Sequence, residues 1–68
     1  MTETIGMRIK RERMHRLLSQ RELAEALDIS QVALSLYERD ERTPRDAVKV
    51  RMARFFGTTV QALFFPTN

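Results

Sequence analysis

The residues with the most useful chemistry in this 68-residue chain are two side-chain amides, two hydroxyls and a series of guanidinium groups. Between Gln20 and Arg39 the sequence reads QRELAEALDISQVALSLYER. Gln20 and Gln31 each offer an amide that both donates and accepts, and Ser30 and Ser35 offer hydroxyls. Ten of the twelve basic residues are arginine, whose planar fork suits phosphate groups and guanine edges. This is chemistry for recognition rather than for bond cleavage. The chain has no cysteine and one histidine, His15. Thiolate metal sites, disulfides, cysteine nucleophiles and histidine-rich zinc or copper sites are therefore excluded. Serine, histidine and aspartate are all present, but without a glycine-rich elbow or a convergent pocket, so catalysis is not expected.

The distribution of charge supports a recognition role. The net charge is +3 and the isoelectric point is about 10.2. Residues 8–16 carry Arg8, Lys10, Arg11, Arg13 and Arg16 against Glu12 alone. Residues 20–38 carry Arg21 against Glu22, Glu25, Asp28 and Glu38, and residues 39–54 are basic again. Such alternation predicts a molecule with a basic side and an acidic side. A chain of this length buries only about 60% of its unfolded surface, enough for one core and one domain spanning residues 1–68. The longest apolar run is Ala62 to Phe65, far short of the ~20 residues of a membrane span. The N-terminus has no secretory signal pattern, so a cytoplasmic location is expected, with no membrane partner.

Helical spacing of apolar residues dominates, and five short helices account for the chain. Helix 1 is expected from about Ile5 to Leu17, its stripe formed by Ile5, Ile9 and Arg13 with Met14 and Leu17 beside it. Ser19-Gln20-Arg21-Glu22 is a capping box opening helix 2, whose apolar face is Leu23, Ala24, Ala26 and Leu27. Asp28 and Ile29 make a turn, and Ser30 caps helix 3, which turns Ala33, Leu34 and Tyr37 inward. Thr43 is expected at the N-cap of helix 4 with Pro44 at its first position and Asp46 in its first turn. Val48, Met52, Phe55 and Phe56 form its stripe, and Gly57 ends it. Thr58 to Gln61 reads as a second capping box for helix 5, with Val60, Leu63 and Phe64 inward and Pro66 as the stop.

Helices 2 and 3 with their short turn form a helix-turn-helix pattern over residues 20–39, with small Ala24 where the second helix crosses the first. The outer face of helix 3 reads Ser30, Gln31 and Val32, then Ser35 and Leu36 one turn on. A short polar N-terminal end of this kind fits a major groove about 12 Å wide.

The chain resembles the lambda-repressor-like, Cro/XRE family of helix-turn-helix DNA-binding domains. The matching stretches are RIKRER, LSQRELAEAL, ISQ, YER, RTP and FFGTTVQALF, and the likeness spans residues 5–65. It implies an all-α, five-helix domain that binds double-stranded DNA and needs no metal, cofactor or small-molecule ligand. By matching position, Gln20 would bond a phosphate and brace helix 3. Gln31 would read a base, an adenine if it pairs bidentately, or else contact phosphate or solvent. Val32 and Leu36 would meet thymine methyl groups, with packing on helix 4 as the alternative for Leu36. Ser30 and Ser35 would contact phosphate or base edges. Arg39 and Arg42 would clamp the DNA backbone, and Arg8 and Arg11 would add phosphate contacts. Arg13 and Glu38 would form a partly buried salt bridge between helices 1 and 3, which accounts for an arginine on an inner stripe.

The sequence departs from the family at identifiable places. Leu17, Asp28 and Asp40 stand where the family has glycine, and Glu12 where it has leucine. Leu17 is expected to extend helix 1. Phe55, Phe56, Phe64 and Phe65 are too many aromatics for so small a core, so a dimer surface is expected at Phe65 and then Phe56. The resemblance implies a transcription regulator, in its simplest form a repressor occluding a palindromic operator as a homodimer, assembled in solution or only on DNA. Activation through Glu22 and Glu25 on helix 2 stays open. An antitoxin-type autoregulator that also binds a toxin, and a protein-interaction module keeping only the fold, are the alternatives.

Overall fold

The computed structural model describes residues 3–66. Five helices follow one another: α1 (Ile5–His15), α2 (Gln20–Leu27), α3 (Gln31–Glu38), α4 (Asp46–Phe56) and α5 (Val60–Phe64). The fold is all-α. Ile9, Leu23, Leu27, Leu34 and Met52 are almost completely buried at its centre, each contributing roughly 1.5–3 kcal/mol of transfer free energy. Around them pack Ala24, Tyr37, Val48, Ala53, Phe56, Leu63 and Phe64. No helix among the described residues is long and apolar enough to cross a membrane.

Side-chain caps start most of the helices. Ser19 Oγ accepts from the Glu22 amide at 3.0 Å while Glu22 Oε1 accepts from the Ser19 amide at 2.8 Å, a complete capping box. These bonds, led by the one from the Ser19 backbone amide, hold the Glu22 carboxyl below its ordinary value. The lowered value means that this contribution is present above the ordinary carboxylate range and is lost as pH falls through the folded-state value. Ser30 Oγ accepts from the Ala33 amide at 3.0 Å and starts α3. Thr4 Oγ1 accepts from the Met7 amide at 3.1 Å and starts α1.

Helix boundaries differ from expectation in three places. Helix α1 ends at His15, and Leu17 adopts a left-handed φ of 57° instead of extending it. Leu17 is 91% exposed and Met14 is also exposed, so neither joins the core stripe. Helix α4 starts at Asp46, with Arg45 at its N-cap and no side-chain cap. Thr43 and Pro44 lie upstream, because the extended backbone at Arg45 (ψ 165°) keeps the helix from starting sooner. Helix α5 is capped by Thr59, whose Oγ1 accepts from the Ala62 amide at 3.0 Å. The Thr58 amide is committed elsewhere, bonding the Ala53 carbonyl at 2.8 Å to close α4 at left-handed Gly57. No second capping box forms: the Gln61 side-chain amide donates to the Phe65 carbonyl.

Burial corrects the apolar faces as well. Ala26 is exposed. Phe56 is buried while Phe55 is exposed, its ring edge-on to that of Phe56 with centroids 5.6 Å apart. Phe56 therefore serves the core and does not form part of a dimer surface. Its position is held by Arg16, whose guanidinium lies 4.6 Å from the ring centroid and donates to the Phe56 carbonyl at 2.9 Å.

The three helices nearest the turn are joined by one polar cluster. Arg13 Nε donates to Glu38 Oε2 at 2.7 Å and Arg13 Nη2 to Glu38 Oε1 at 3.0 Å. Arg13 Nη1 donates to the Leu18 carbonyl at 2.8 Å, in the connection between α1 and α2. Gln20 Nε2, at the start of α2, donates to Glu38 Oε1 at 3.1 Å. The backbones of α1 and α3 also approach closely: a Cβ on Gly6 would sit 2.5 Å from the Tyr37 carbonyl oxygen and 2.6 Å from that of Glu38. Asp40 secures the same contact from the other side, its carboxylate accepting from the Thr4 hydroxyl at 2.6 Å and the Gly6 amide at 2.9 Å.

Among the described residues, Leu17, Asp28 and Asp40 are the non-glycine residues with positive φ, at 57°, 57° and 61°. Asp40 uses its carboxylate, whereas Leu17 has neither a polar group nor burial to offset a strain of roughly 1–2 kcal/mol. Replacing Leu17 with glycine is expected to gain about 1 kcal/mol net of the added chain entropy. For a domain of this size that raises the melting temperature by about 4–8 °C; an unchanged or lower value in a thermal melt followed by circular dichroism contradicts the account. Conversely, Arg13→Ala leaves Glu38 buried without its cation and is expected to cost about 3–5 kcal/mol. A variant melting at the wild-type temperature rejects that role.

Candidate nucleic-acid interface

The α2–turn–α3 unit occupies residues 20–38, with Asp28 in the left-handed conformation just after α2. The Asp28 and Ile29 amides bond the Glu25 and Ala24 carbonyls, at 3.2 Å and 3.0 Å, which closes α2 tightly. Leu23, Ala24 and Leu27 from α2 meet Leu34 and Tyr37 from α3 in the core. With its inner face fixed in this way, α3 directs its other side outward.

That outer side carries the expected reading residues. Gln31, Val32, Ser35, Leu36 and Arg39 follow an i, i+1, i+4, i+5, i+8 spacing, which places them on one face. Gln31 is exposed at the first position of α3, and Val32 is 71% exposed. Ser35 and Leu36 are half-buried. Ser30 uses its oxygen as an acceptor for the α3 cap, which leaves its hydroxyl proton free to donate.

Two exposed arginines follow at the end of α3 and in the loop after it. Arg39 is exposed, with Nη1 3.1 Å from Glu41 Oε2 and Nε bonded to the Ser35 carbonyl at 3.4 Å. Arg42 is exposed in the loop before α4. Gln20 is half-buried and bonded to Glu38, so its amide braces α3 from the start of α2.

Arg8 and Arg11 stand apart from this group. Arg8 Nη1 reaches the Ala62 carbonyl of α5 at 3.5 Å, and its Nε lies 3.5 Å from Glu3. Arg11 Nη1 engages both Glu3 oxygens, at 2.7 Å and 2.8 Å, and Nη2 meets Glu12. Both guanidinium groups are thus already paired within the domain. The Glu12 carboxyl is held below its ordinary value first by its hydrogen bond to Arg16, against the opposing effect of burial. His15 is exposed on α1, and no three metal-ligating side chains cluster among the described residues.

Asp40 is the positioning residue that the sequence did not reveal. Its spacing marks it only as a substitute for glycine, because its partners Thr4 and Gly6 are more than thirty residues away. The left-handed residue after α3 thereby ties the loop that holds Arg39 and Arg42 to the start of α1.

The helix-turn-helix family matches residues 9–63. No curated protein matches this sequence significantly. Among solved structures, the chain superposes on the P22 c2 repressor in complex with synthetic operator 9T, with a TM-score of 0.89 and 24% identity. That likeness covers 97% of this chain and all of the repressor chain. The solution structure of the P22 c2 DNA-binding domain gives a TM-score of 0.83 and 25% identity, covering 100% of this chain and 96% of that one. SinR, in its complex with SinI, gives 0.83 and 30% identity over 91% of this chain; the chain spans only 61% of that SinR chain. With the family match covering most of the sequence and the capped α2–turn–α3 unit within it, the chain belongs to the lambda-repressor-like family of helix-turn-helix DNA-binding proteins.

Proposed function

We propose that this DNA-binding regulator reads a near-palindromic operator as a symmetric dimer and represses by occluding a promoter. The observation that carries the reading is the exposed Gln31 at the start of α3, on one face with Val32 and Arg39. An α-helix with its side chains is about 10–12 Å across, which fits a major groove about 12 Å wide. In this reading two α3 helices enter successive grooves about 34 Å apart. Gln31 donates to and accepts from an adenine edge, and Val32 and Leu36 meet thymine methyls. Ser30 and Ser35 bond base edges or phosphates. Arg39, Arg42 and Gln20 hold the DNA backbone and set affinity, while the base contacts set preference. The P22 c2 repressor, similar in fold, was solved bound to a synthetic operator, which favours the same use of the fold here.

The dimer surface is proposed at Phe65, which is 50% exposed and stacked by Lys49, its Nζ 5.1 Å from the ring centroid. Val50 on α4 is also exposed. A second reading has the protein additionally bound by a regulatory protein, as an antitoxin-type autoregulator is. It is favoured by one observation, that SinR was solved in complex with SinI.

Selection from a random duplex library at near-physiological salt tests the proposal. An inverted repeat is expected, its half-site centres about one helical turn apart. Gln31→Ala is expected to relax the preference at one base pair in each half-site, by about 1–3 kcal/mol. Enrichment of a single half-site rejects the dimer, and binding to all duplexes alike that vanishes with added salt rejects sequence reading.

A further inference from the structure

The C-terminal end of α2 is closed by a side chain from α4. Arg51 Nη1 donates to the Leu27 carbonyl at 2.7 Å and to the Asp28 carbonyl at 3.4 Å. The same nitrogen lies 4.0 Å from Asp28 Oδ2. These carbonyls sit at the negative end of the α2 dipole, where a cation is favoured. Only Ile29 and Ser30 separate Asp28 from the first residue of α3. The dihedrals of Asp28, with those of Ile29 and Ser30, therefore set the direction in which α3 leaves the turn. Asp28 holds a left-handed φ of 57°, a conformation that costs an L residue roughly 1–2 kcal/mol. Its own carboxylate is almost fully exposed, so it does little to hold that conformation. The amide bonds of Asp28 and Ile29 to the Glu25 and Ala24 carbonyls hold it from within, and the bonds from Arg51 add to them from outside.

The packing leaves Arg51 in a distinctive place. Helix α3 packs mainly on α1 and α2, while α4 packs on α2 and α5. Arg51 is the α4 side chain whose hydrogen bonds reach the turn. We propose that Arg51 is a positioning residue for DNA recognition: it clamps the α2–α3 turn to α4, fixes the angle at which α3 meets the groove, and so sharpens sequence discrimination without contacting DNA. The proposal rests on the operator reading above.

The test uses the purified full chain, its selected operator and a scrambled duplex of equal length, titrated over a series of salt concentrations, with thermal melts in parallel. Arg51→Met keeps the aliphatic stem and removes the bonds to the carbonyls. It is expected to lower the operator-to-scrambled affinity ratio about tenfold, the equivalent of one charged hydrogen bond. Affinity for the scrambled duplex and the salt slope are expected to stay at wild-type values. Arg51→Lys retains the cation and is expected to fall between the two; it decides the matter if Arg51→Met does not fold. An unchanged ratio overturns the proposal, whatever the melting temperature does. Equal weakening on both duplexes, with a salt slope reduced by about 0.9, makes Arg51 a phosphate contact and overturns it too. A wild-type protein that prefers no duplex overturns the operator reading and this one together, whereas a discriminating wild type with an unaltered variant ratio overturns this one alone.

Discussion

The carboxylate of Glu38 is buried, and the placement of the recognition helix depends on how it is satisfied. Its side chain is 3% exposed, and an ionised carboxylate there is costly unless cations and donors surround it. Arg13 supplies two of those donors from α1, and Gln20 supplies another from α2. The remaining Arg13 nitrogen takes the Leu18 carbonyl. Two helices and a connection are thus obliged to converge on the end of α3. Apolar packing holds the helices together but tolerates sliding; the directional bonds to Glu38 do not. The register of α3 against α1 and α2 is set by these bonds together with the close backbone contact at Gly6 and the bonds of Asp40 to the start of α1.

Six of the ten arginines fall into two groups with different work. Arg8, Arg13, Arg16 and Arg51 each donate to a backbone carbonyl outside their own helix, those of Ala62, Leu18, Phe56 and Leu27. Three of these four acceptors lie in or at the end of a helix, where carbonyls lack intrahelical donors. The guanidinium fork can serve such a carbonyl and keep a further nitrogen for a carboxylate or a ring. Much of the positive charge is therefore an internal scaffold. Arg39 and Arg42 are differently placed, exposed at the end of α3 and in the loop after it.

Left-handed residues give the domain its corners. Each of Leu17, Asp28, Asp40 and Gly57 turns the chain one or two residues after a helix, with paired amide-to-carbonyl bonds closing that helix. Glycine would meet the need at least strain, yet aspartate stands at two of these corners. At Asp40 the carboxylate returns two hydrogen bonds to the start of α1. At Asp28 the carbonyl takes a bond from α4. The corners are thereby points of attachment as well as of direction, and the helix-turn-helix inherits its rigidity from helices outside it.

Local chemistry was enough to place the five helices, though not all of their ends, the capping box at Ser19 and Glu22 and the cap at Ser30. Those features depend on residues within four positions of one another, so spacing alone contains them. The likeness to the family also marked Asp28 and Asp40 as turn positions, through the glycines they replace, whereas Leu17, expected to extend helix 1, became a corner only in the folded chain. Spacing could not separate Phe55 from Phe56, because adjacent residues at the edge of a helical stripe are sorted by what packs against them. Arg16 and the core selected Phe56. Nor could it show that Thr58 was already engaged in closing α4, which moved the cap of α5 to Thr59. The bonds of Asp40 to Thr4 and Gly6, and of Arg51 to Leu27, join residues 24 to 36 positions apart. Such pairs leave no periodic trace in a sequence, since the distance between them is set only when the helices pack.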